Sequence, residues 1–131
     1  MKERQNAAAF YDLEGTLVST NLVHTLAFYS QRQQGLFPTI KKSVATLAKL
    51  PFFAVTDIYS RNVFNEVFFQ SYKGESYDRL RFFSDELFEK TLKPAIYEGT
   101  FDLIRQSKKN GHKQVVLTGA LDFSVEKLMD Y

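Results

Sequence analysis

The chain has 131 residues, of which 44% are hydrophobic and 24% charged, and its formal net charge is +2. These values are typical of one folded domain and exclude a disordered chain, while a charge so close to neutral gives no indication of nucleic acid as a partner. The absence of cysteine excludes disulfide bonds and thiolate metal sites. No apolar run approaches the roughly 18 residues of a membrane span, and no signal-peptide pattern is present, so we expect a cytoplasmic protein.

The first predicted element is a short strand that ends in two acidic residues. The apolar run AAAFY is followed by Asp12 and Glu14, and then by Gly15 and Thr16. A short apolar run bounded by a turn is typical of a parallel strand buried on both faces. The carboxylates would follow the carboxyl end of this strand, where open α/β sheets bind their ligands. A plain solvated turn is the structural alternative.

Four amphipathic helices are predicted next, and they hold most of the 13 Phe residues of the chain. Their apolar residues recur at helical spacing over the ranges 21–33, 38–50, 53–72 and 76–92. Ser19 or Thr20 would cap the first helix. Pro51 and Pro94 are predicted to end the second and the fourth helix, because proline lacks the backbone N–H that a helix interior needs.

In the second helix, Ile40, Val44 and Leu47 mark the side that we expect to face the core, and Lys41, Lys42 and Lys49 mark the solvent side. Packing between helices explains the many aromatic residues of this region. An apolar patch over residues 50–53, beside these lysines, is an alternative contact for anionic lipid. Because helix packing explains the same residues, we do not expect a membrane surface as a partner.

Two polar features of the helical region have simple structural explanations. His24 lies among apolar residues, which is more typical of a packed, hydrogen-bonded side chain than of a catalyst, although its nearness to the acidic pair keeps a catalytic role open. Glu86 and Lys90 form an i,i+4 pair in the favourable order, which supports a helix there.

The last predicted elements are a helix, a strand and a helix. The first of these helices starts at about Gly99 and stops at Asn110-Gly111. Basic residues in its last turn complement the helix dipole. Phosphate binding by these basic residues is the alternative. The strand, residues 114–117, ends in Thr118-Gly119, and Asp122 would cap the final helix. A hydroxyl group and backbone N–H groups before a helix N-terminus can hold a phosphate.

These two strand ends resemble known motifs. The segment Asp12-Leu13-Glu14-Gly15-Thr16 resembles motif I of the haloacid dehalogenase (HAD) superfamily, Asp-x-Asp-x-Thr, and Val115-Val116-Leu117-Thr118-Gly119 resembles its motif II. Residues 94–129 are similar to the phosphoserine-phosphatase-like branch (subfamily IB). This resemblance implies an α/β fold in which a helical C1 cap is inserted into a partial Rossmann-like core. The core would comprise residues 1–20 and 94–131, and the cap residues 21–93.

The resemblance also implies a Mg²⁺-dependent phosphomonoester hydrolase that acts on a small phosphorylated substrate. Asp12 would be the nucleophile, forming an aspartyl-phosphate, and would bind Mg²⁺ together with the backbone carbonyl of Glu14. The Glu14 side chain would be the general acid and base. Thr118 and the N–H of Gly119 would hold the phosphoryl oxygens.

The sequence departs from the family pattern in two ways. Glu14 stands where the family usually has a second Asp, which moves the acid/base group by about an ångström. No residue can be assigned to motif III or motif IV, since Lys127 lies too close to motif II. We therefore expect the N-terminal part of a longer HAD protein, with little or no hydrolysis by these residues alone and an open sheet edge that allows self-association.

Two further functions remain compatible with these motifs. An inactive HAD remnant would serve as a binding or interaction module, its aromatic helices packing on a partner. A phosphotransferase would use the same aspartyl-phosphate chemistry with an acceptor other than water.

Overall fold

The computed structural model describes residues 7–131, so the first six residues of the predicted core segment 1–20 lie outside the described residues. Strands β1 (Ala8–Asp12) and β2 (Lys113–Leu117) form a two-stranded parallel sheet. Asp12 pairs with Leu117 in this sheet, so both strands end at the same edge. The α/β prediction and the parallel pairing of the two strands are confirmed.

Helices occupy most of the remaining described chain. In chain order they are α1 (Leu22–Ser30), α2 (Leu36–Tyr59), α3 (Arg61–Gln70), α4 (Tyr77–Phe82), α5 (Ser84–Leu87), α6 (Thr100–Lys109) and α7 (Asp122–Asp130). A π-helical turn, Phe88–Leu92, and a 3₁₀ turn, Lys93–Ala95, follow α5 directly. Among the described residues, no helix is both long and apolar enough to cross a membrane.

The predicted break at Pro51 is wrong. Pro51 lies inside α2, and the chain leaves helical geometry at Ser60 instead, where φ is −162° and ψ is 110°. The reason is burial: Phe53 is only 2% exposed and packs against Phe64 and Phe68, with ring centroids 5.8 Å and 6.1 Å away. Burial of a Phe side chain stabilises by about 1.5–3 kcal/mol, which is comparable with the roughly 3 kcal/mol that an interior proline costs.

Three other predicted helix boundaries also change. The predicted fourth helix divides into α4, α5 and the two turns, and Pro94 lies within the 3₁₀ turn rather than after a helix. Asn21, not Ser19 or Thr20, caps α1, because its Oδ1 accepts the N–H of Val23 at 3.0 Å. The capping position of α7 is Leu121, and Asp122 is the first helical residue.

Only one face of the sheet is covered by the described residues. Tyr11 and Leu13 are buried in a cluster with Val125 of α7, against which Ile104 of α6 also packs. Phe10, on the opposite face, is 64% exposed. The expectation of a strand buried on both faces is therefore wrong, because the two neighbouring helices pack on the Tyr11 side.

The chain enters and leaves the helical region between the strands at one place. Val18 forms an antiparallel bridge with Ile96, and the N–H of Tyr97 donates to the carbonyl of Leu17 at 3.0 Å. Helix α7 nevertheless packs against this region, since Phe123 shares a buried cluster with helical residues that precede β2. The division into a core and a cap at residues 20/21 and 93/94 stays a prediction.

Over the first half of α2, the side of the helix that faces the protein interior is opposite to the predicted one. Ile40, Val44 and Leu47 are 53%, 59% and 63% exposed, whereas Lys42 and Lys49 are half-buried. The polar side of this half is held by contacts with Ser30 of α1 and with Ser71 and Glu75, which follow α3.

The predicted Glu86–Lys90 pair is confirmed and belongs to a larger charged group. Lys90 Nζ donates to Glu86 Oε1 at 2.7 Å, and Arg32 donates two hydrogen bonds to the same carboxylate at 2.9 Å and 3.0 Å. Hydrogen bonds from Arg32 and then from Lys90 lower the pKa of Glu86 from 4.5 to about 2. A carboxyl group whose pKa falls on folding stabilises the fold above its unfolded pKa.

We therefore expect Glu86→Gln to lower the free energy of unfolding at neutral pH. Because the folded pKa lies below the unfolded one, the difference from the wild type should shrink as pH falls from 4.5 towards about 2. Urea unfolding at several pH values measures both quantities. Glu89→Gln, which removes only a contact with Lys93 at 3.1 Å, is the control; an equal effect of both substitutions would contradict this assignment.

Candidate active site at the carboxyl ends of the strands

The turn after β1 is held by one buried residue. Leu13 is 1% exposed, and its carbonyl accepts the N–H groups of Thr16, Leu17 and Val18 at 3.2 Å, 3.0 Å and 3.1 Å. Gly15 has a φ of +79°, a left-handed conformation that favours glycine. Since Leu13 points into the core, the carboxylates on either side of it are kept at the surface of the turn.

A direct hydrogen bond joins the two sequence motifs. The Thr118 hydroxyl donates to Glu14 Oε1 at 2.7 Å, and the N–H of Ala120 donates to Thr118 Oγ1 at 3.0 Å. These contacts fix the orientation of Thr118 and hold the half-buried Glu14 carboxylate over the end of β2. A ligand oxygen that is to receive the Thr118 proton must compete with Glu14 for it.

Asp12 is the more accessible of the two carboxylates. It is exposed at the last position of β1, and Thr16 Oγ1 lies 3.5 Å from its Oδ2, which is too long for a strong hydrogen bond. The carboxylate therefore retains lone pairs with which it can attack a substrate or bind a cation.

Asp12, Glu14 and Gly119 line one cavity of about 780 Å³. Its volume lies within the range of about 300–1,000 Å³ that is typical of small-molecule sites. Thr118 does not line this cavity, but its hydroxyl is hydrogen-bonded to Glu14, which does. A Cβ at Gly119 would meet Leu22 Cδ1 at 3.5 Å, an ordinary contact, so packing does not require glycine there. The structure thus brings the four predicted site residues together.

Polar residues from the helices form another part of the cavity lining. Asp57 at the end of α2 pairs with Arg61 at the start of α3, and Asn65 lies one turn further along. The sequence motifs do not include these residues. Their spacing of four residues, within a region rich in apolar side chains, was the signal that could have indicated them.

His24 also lines the cavity, but its contacts belong to the end of a helix. Its Nδ1 accepts the backbone N–H of Asn21 at 3.2 Å, and Asn21 Oδ1 accepts the backbone N–H of His24 at 3.3 Å. This reciprocal arrangement is a capping box. The hydrogen-bonded role is confirmed, whereas the expected packing among apolar residues is wrong because His24 is exposed.

The oxygen atoms at this site are of the type that binds a hard cation. Magnesium binds through one or two carboxylates, completed by water and substrate phosphate oxygens. Asp12 provides one such carboxylate, and the backbone carbonyl of Glu14 is the second predicted ligand. Within residues 7–131, no group of three or more His, Asp or Glu side chains is placed to hold a metal ion.

Comparison with protein families identifies the chain. Residues 9–131 match the model of the haloacid dehalogenase-like hydrolases, which is nearly the whole sequence. The chain belongs to this family, whose members are hydrolases. Neither the search of curated proteins nor the search of solved structures found a match.

The link between the motifs can be tested by removing one hydroxyl group. Thr118→Val keeps the side-chain shape but leaves the Ala120 N–H without its acceptor and Glu14 without its donor, so we expect a loss of about 1 kcal/mol in the free energy of unfolding. Thr118→Ser retains both hydrogen bonds and should lose less. Chemical denaturation measures the three proteins; equal stability of all three would contradict the importance of this link.

Proposed function

We propose that the protein is a magnesium-dependent phosphomonoester hydrolase that works through an aspartyl-phosphate intermediate. The observation that carries this proposal is the placement of Asp12 beside the hydrogen-bonded Glu14–Thr118 pair, at the shared carboxyl end of two parallel strands. An accessible carboxylate and a second, oriented carboxylate are what a nucleophile and a general acid/base require. Membership of a hydrolase family supports the same conclusion.

In the proposed reaction, an Asp12 oxygen attacks phosphorus in line while the bond to the ester oxygen breaks. The leaving alkoxide takes a proton from the protonated Glu14 carboxyl group. Glu14 then removes a proton from water, and the resulting hydroxide attacks the same phosphorus to regenerate Asp12 and release phosphate. The N–H of Gly119 and the Thr118 hydroxyl, once it turns away from Glu14, donate to the phosphoryl oxygens.

Asp12, and the backbone carbonyl of Glu14, would hold the magnesium ion. A bound magnesium ion supplies positive charge that offsets the negative charge of the phosphate. We further propose that turnover is slow, because no lysine lines the cavity among the described residues and the charge of Arg61 in its lining is already paired with Asp57. A slow enzyme is best tested on its covalent intermediate rather than on its rate.

We also propose that residues 21–93 act as a C1 cap of the phosphoserine-phosphatase-like type over a small phosphorylated substrate. The bridge between Val18 and Ile96 supports this proposal, because it gives the helical region a single base beside the site. The cavity between this region and the strand ends, lined by Arg61 and Asn65, would receive the part of the substrate beyond the phosphate.

Trapping of the intermediate tests the assignment of the nucleophile. The chain is incubated with para-nitrophenyl phosphate and Mg²⁺, quenched in acid and measured by intact-mass spectrometry. We expect the wild type to gain the mass of one phosphoryl group and Asp12→Asn to gain none, because an amide is a poor nucleophile. Asp102→Asn, an exposed position on α6, is the matched control and should be labelled like the wild type. Labelling of Asp12→Asn, or an unlabelled wild type, would overturn the proposal.

The second carboxylate has a distinct expected behaviour in the same assay. Para-nitrophenolate leaves without being protonated, so Glu14→Gln should still form the intermediate. Its hydrolysis needs a general base, and we expect that step to slow by roughly 10²–10⁴-fold, so that the label accumulates. Label that decays as fast in Glu14→Gln as in the wild type would exclude Glu14 as the base.

A further inference from the structure

Over its first half, helix α2 packs on the rest of the protein through its polar side. Thr46 is 6% exposed, and its hydroxyl forms a hydrogen bond of 2.7 Å with the buried Ser30 hydroxyl of α1. One turn further along, Lys49 Nζ donates to Ser71 Oγ at 3.2 Å. Lys42 Nζ lies 3.0 Å from Glu75 Oε1, and the Glu75 side chain is only 6% exposed. The polar residues of α2 are thus engaged inside the protein.

The opposite side of α2 is an apolar stripe that faces solvent. Its residues follow a spacing of three and four, so that they fall on one side of the helix. We call them the α2 stripe: Phe37, Ile40, Val44, Leu47, Pro51, Val55 and Ile58. All seven are exposed. Apart from Pro51, their exposed fractions range from 53% for Ile40 to 84% for Ile58. A helix of 24 residues is about 36 Å long, so this is an extended surface rather than a scatter of single side chains.

The charges beside the stripe indicate which partner covers it. Residues 36–56 contain no acidic residue, and of their three lysines Lys42 and Lys49 are turned inward to Glu75 and Ser71. Lys41 is exposed next to the stripe and has no ion-pair partner among residues 7–131. A second copy of the stripe would offer Lys41 no acidic partner, since the one acidic residue of α2, Asp57, is already paired with Arg61. Anionic phosphate groups complement this surface.

We propose that the α2 stripe docks onto the surface of an anionic lipid bilayer, with the helix axis in the plane of the interface. Phe and Leu side chains on one side, with lysine at the boundary, are typical of interfacial helices. The sequence-based expectation against a membrane partner rested on burial of this side between helices, which the structure does not show. Ala54 of α2 also lines the cavity, so the docked helix is a wall of the candidate active site.

Vesicle flotation tests this proposal with the complete 131-residue chain. Vesicles of phosphatidylcholine and phosphatidylglycerol in equal parts are compared with vesicles of phosphatidylcholine alone. We expect binding to the anionic vesicles that weakens with added salt, and much weaker binding to the neutral ones. Because this assay requires no catalysis, its outcome is independent of the proposed hydrolase function.

Substitutions separate the stripe from other exposed apolar residues. Leu47→Gln keeps a good helix former and should lower the partition coefficient roughly tenfold, because one Leu side chain no longer enters the interface. Lys41→Glu should lower it roughly fivefold or more. Leu103→Gln, at a 48% exposed position on α6, is the matched control and should bind like the wild type. Circular dichroism checks that each variant keeps its helices.

Three results would overturn the proposal. The first is a wild type that does not float with anionic vesicles, and the second is equal binding by Leu47→Gln and the wild type. The third comes from sedimentation velocity without lipid: a dimer that Leu47→Gln dissociates, together with no vesicle binding, would assign the stripe to a second copy of the chain.

Discussion

The parallel pairing of β1 with β2 is the constraint on which the rest of the structure depends. Its register sets Asp12 opposite Leu117, so the acidic turn and the Thr118-Gly119 turn emerge side by side although the six helices α1 to α6 separate them in sequence. The buried Leu13 then fixes the first turn, and the Glu14–Thr118 hydrogen bond joins it to the second. A slip of one residue in this register would move every strand side chain to the other face and separate the carboxylates from the hydroxyl.

The helical region between the strands forms the walls of the cavity at this site. Its two ends meet at the Val18–Ile96 bridge, so the helices α1 to α3 are built out from one base and enclose the cavity above Asp12. The same helices have two different surfaces. One side carries the pair Asp57–Arg61 into the cavity, and the other presents the α2 stripe to solvent. In the proposed lipid-bound state, α2 contacts the bilayer surface with one side and lines the candidate active site with another.

Much of the site was predictable from sequence, and much of the helical packing was not. An apolar run ending in Asp12 and Glu14, and a second ending in Thr118, are local patterns, and parallel pairing needs only those strands. The orientation of α2 depends on partners distant in sequence, because the Thr46–Ser30 hydrogen bond and the Lys42–Glu75 pair hold its polar side inward. Periodicity locates the apolar side of a helix but does not state what that side contacts.

Binding of a phosphoryl mimic tests the central claim, that the paired strand ends form a phosphoryl-transfer site, most directly. Melting temperature is measured with Mg²⁺ and beryllofluoride, which resembles a phosphoryl group on a carboxylate. Selective binding to the folded state stabilises it by about 2.7 kcal/mol at about 100 times the Kd, so the wild type should melt several degrees higher. Asp12→Asn should not respond. An unshifted wild type, or an equal shift in Asp12→Asn, would contradict the account.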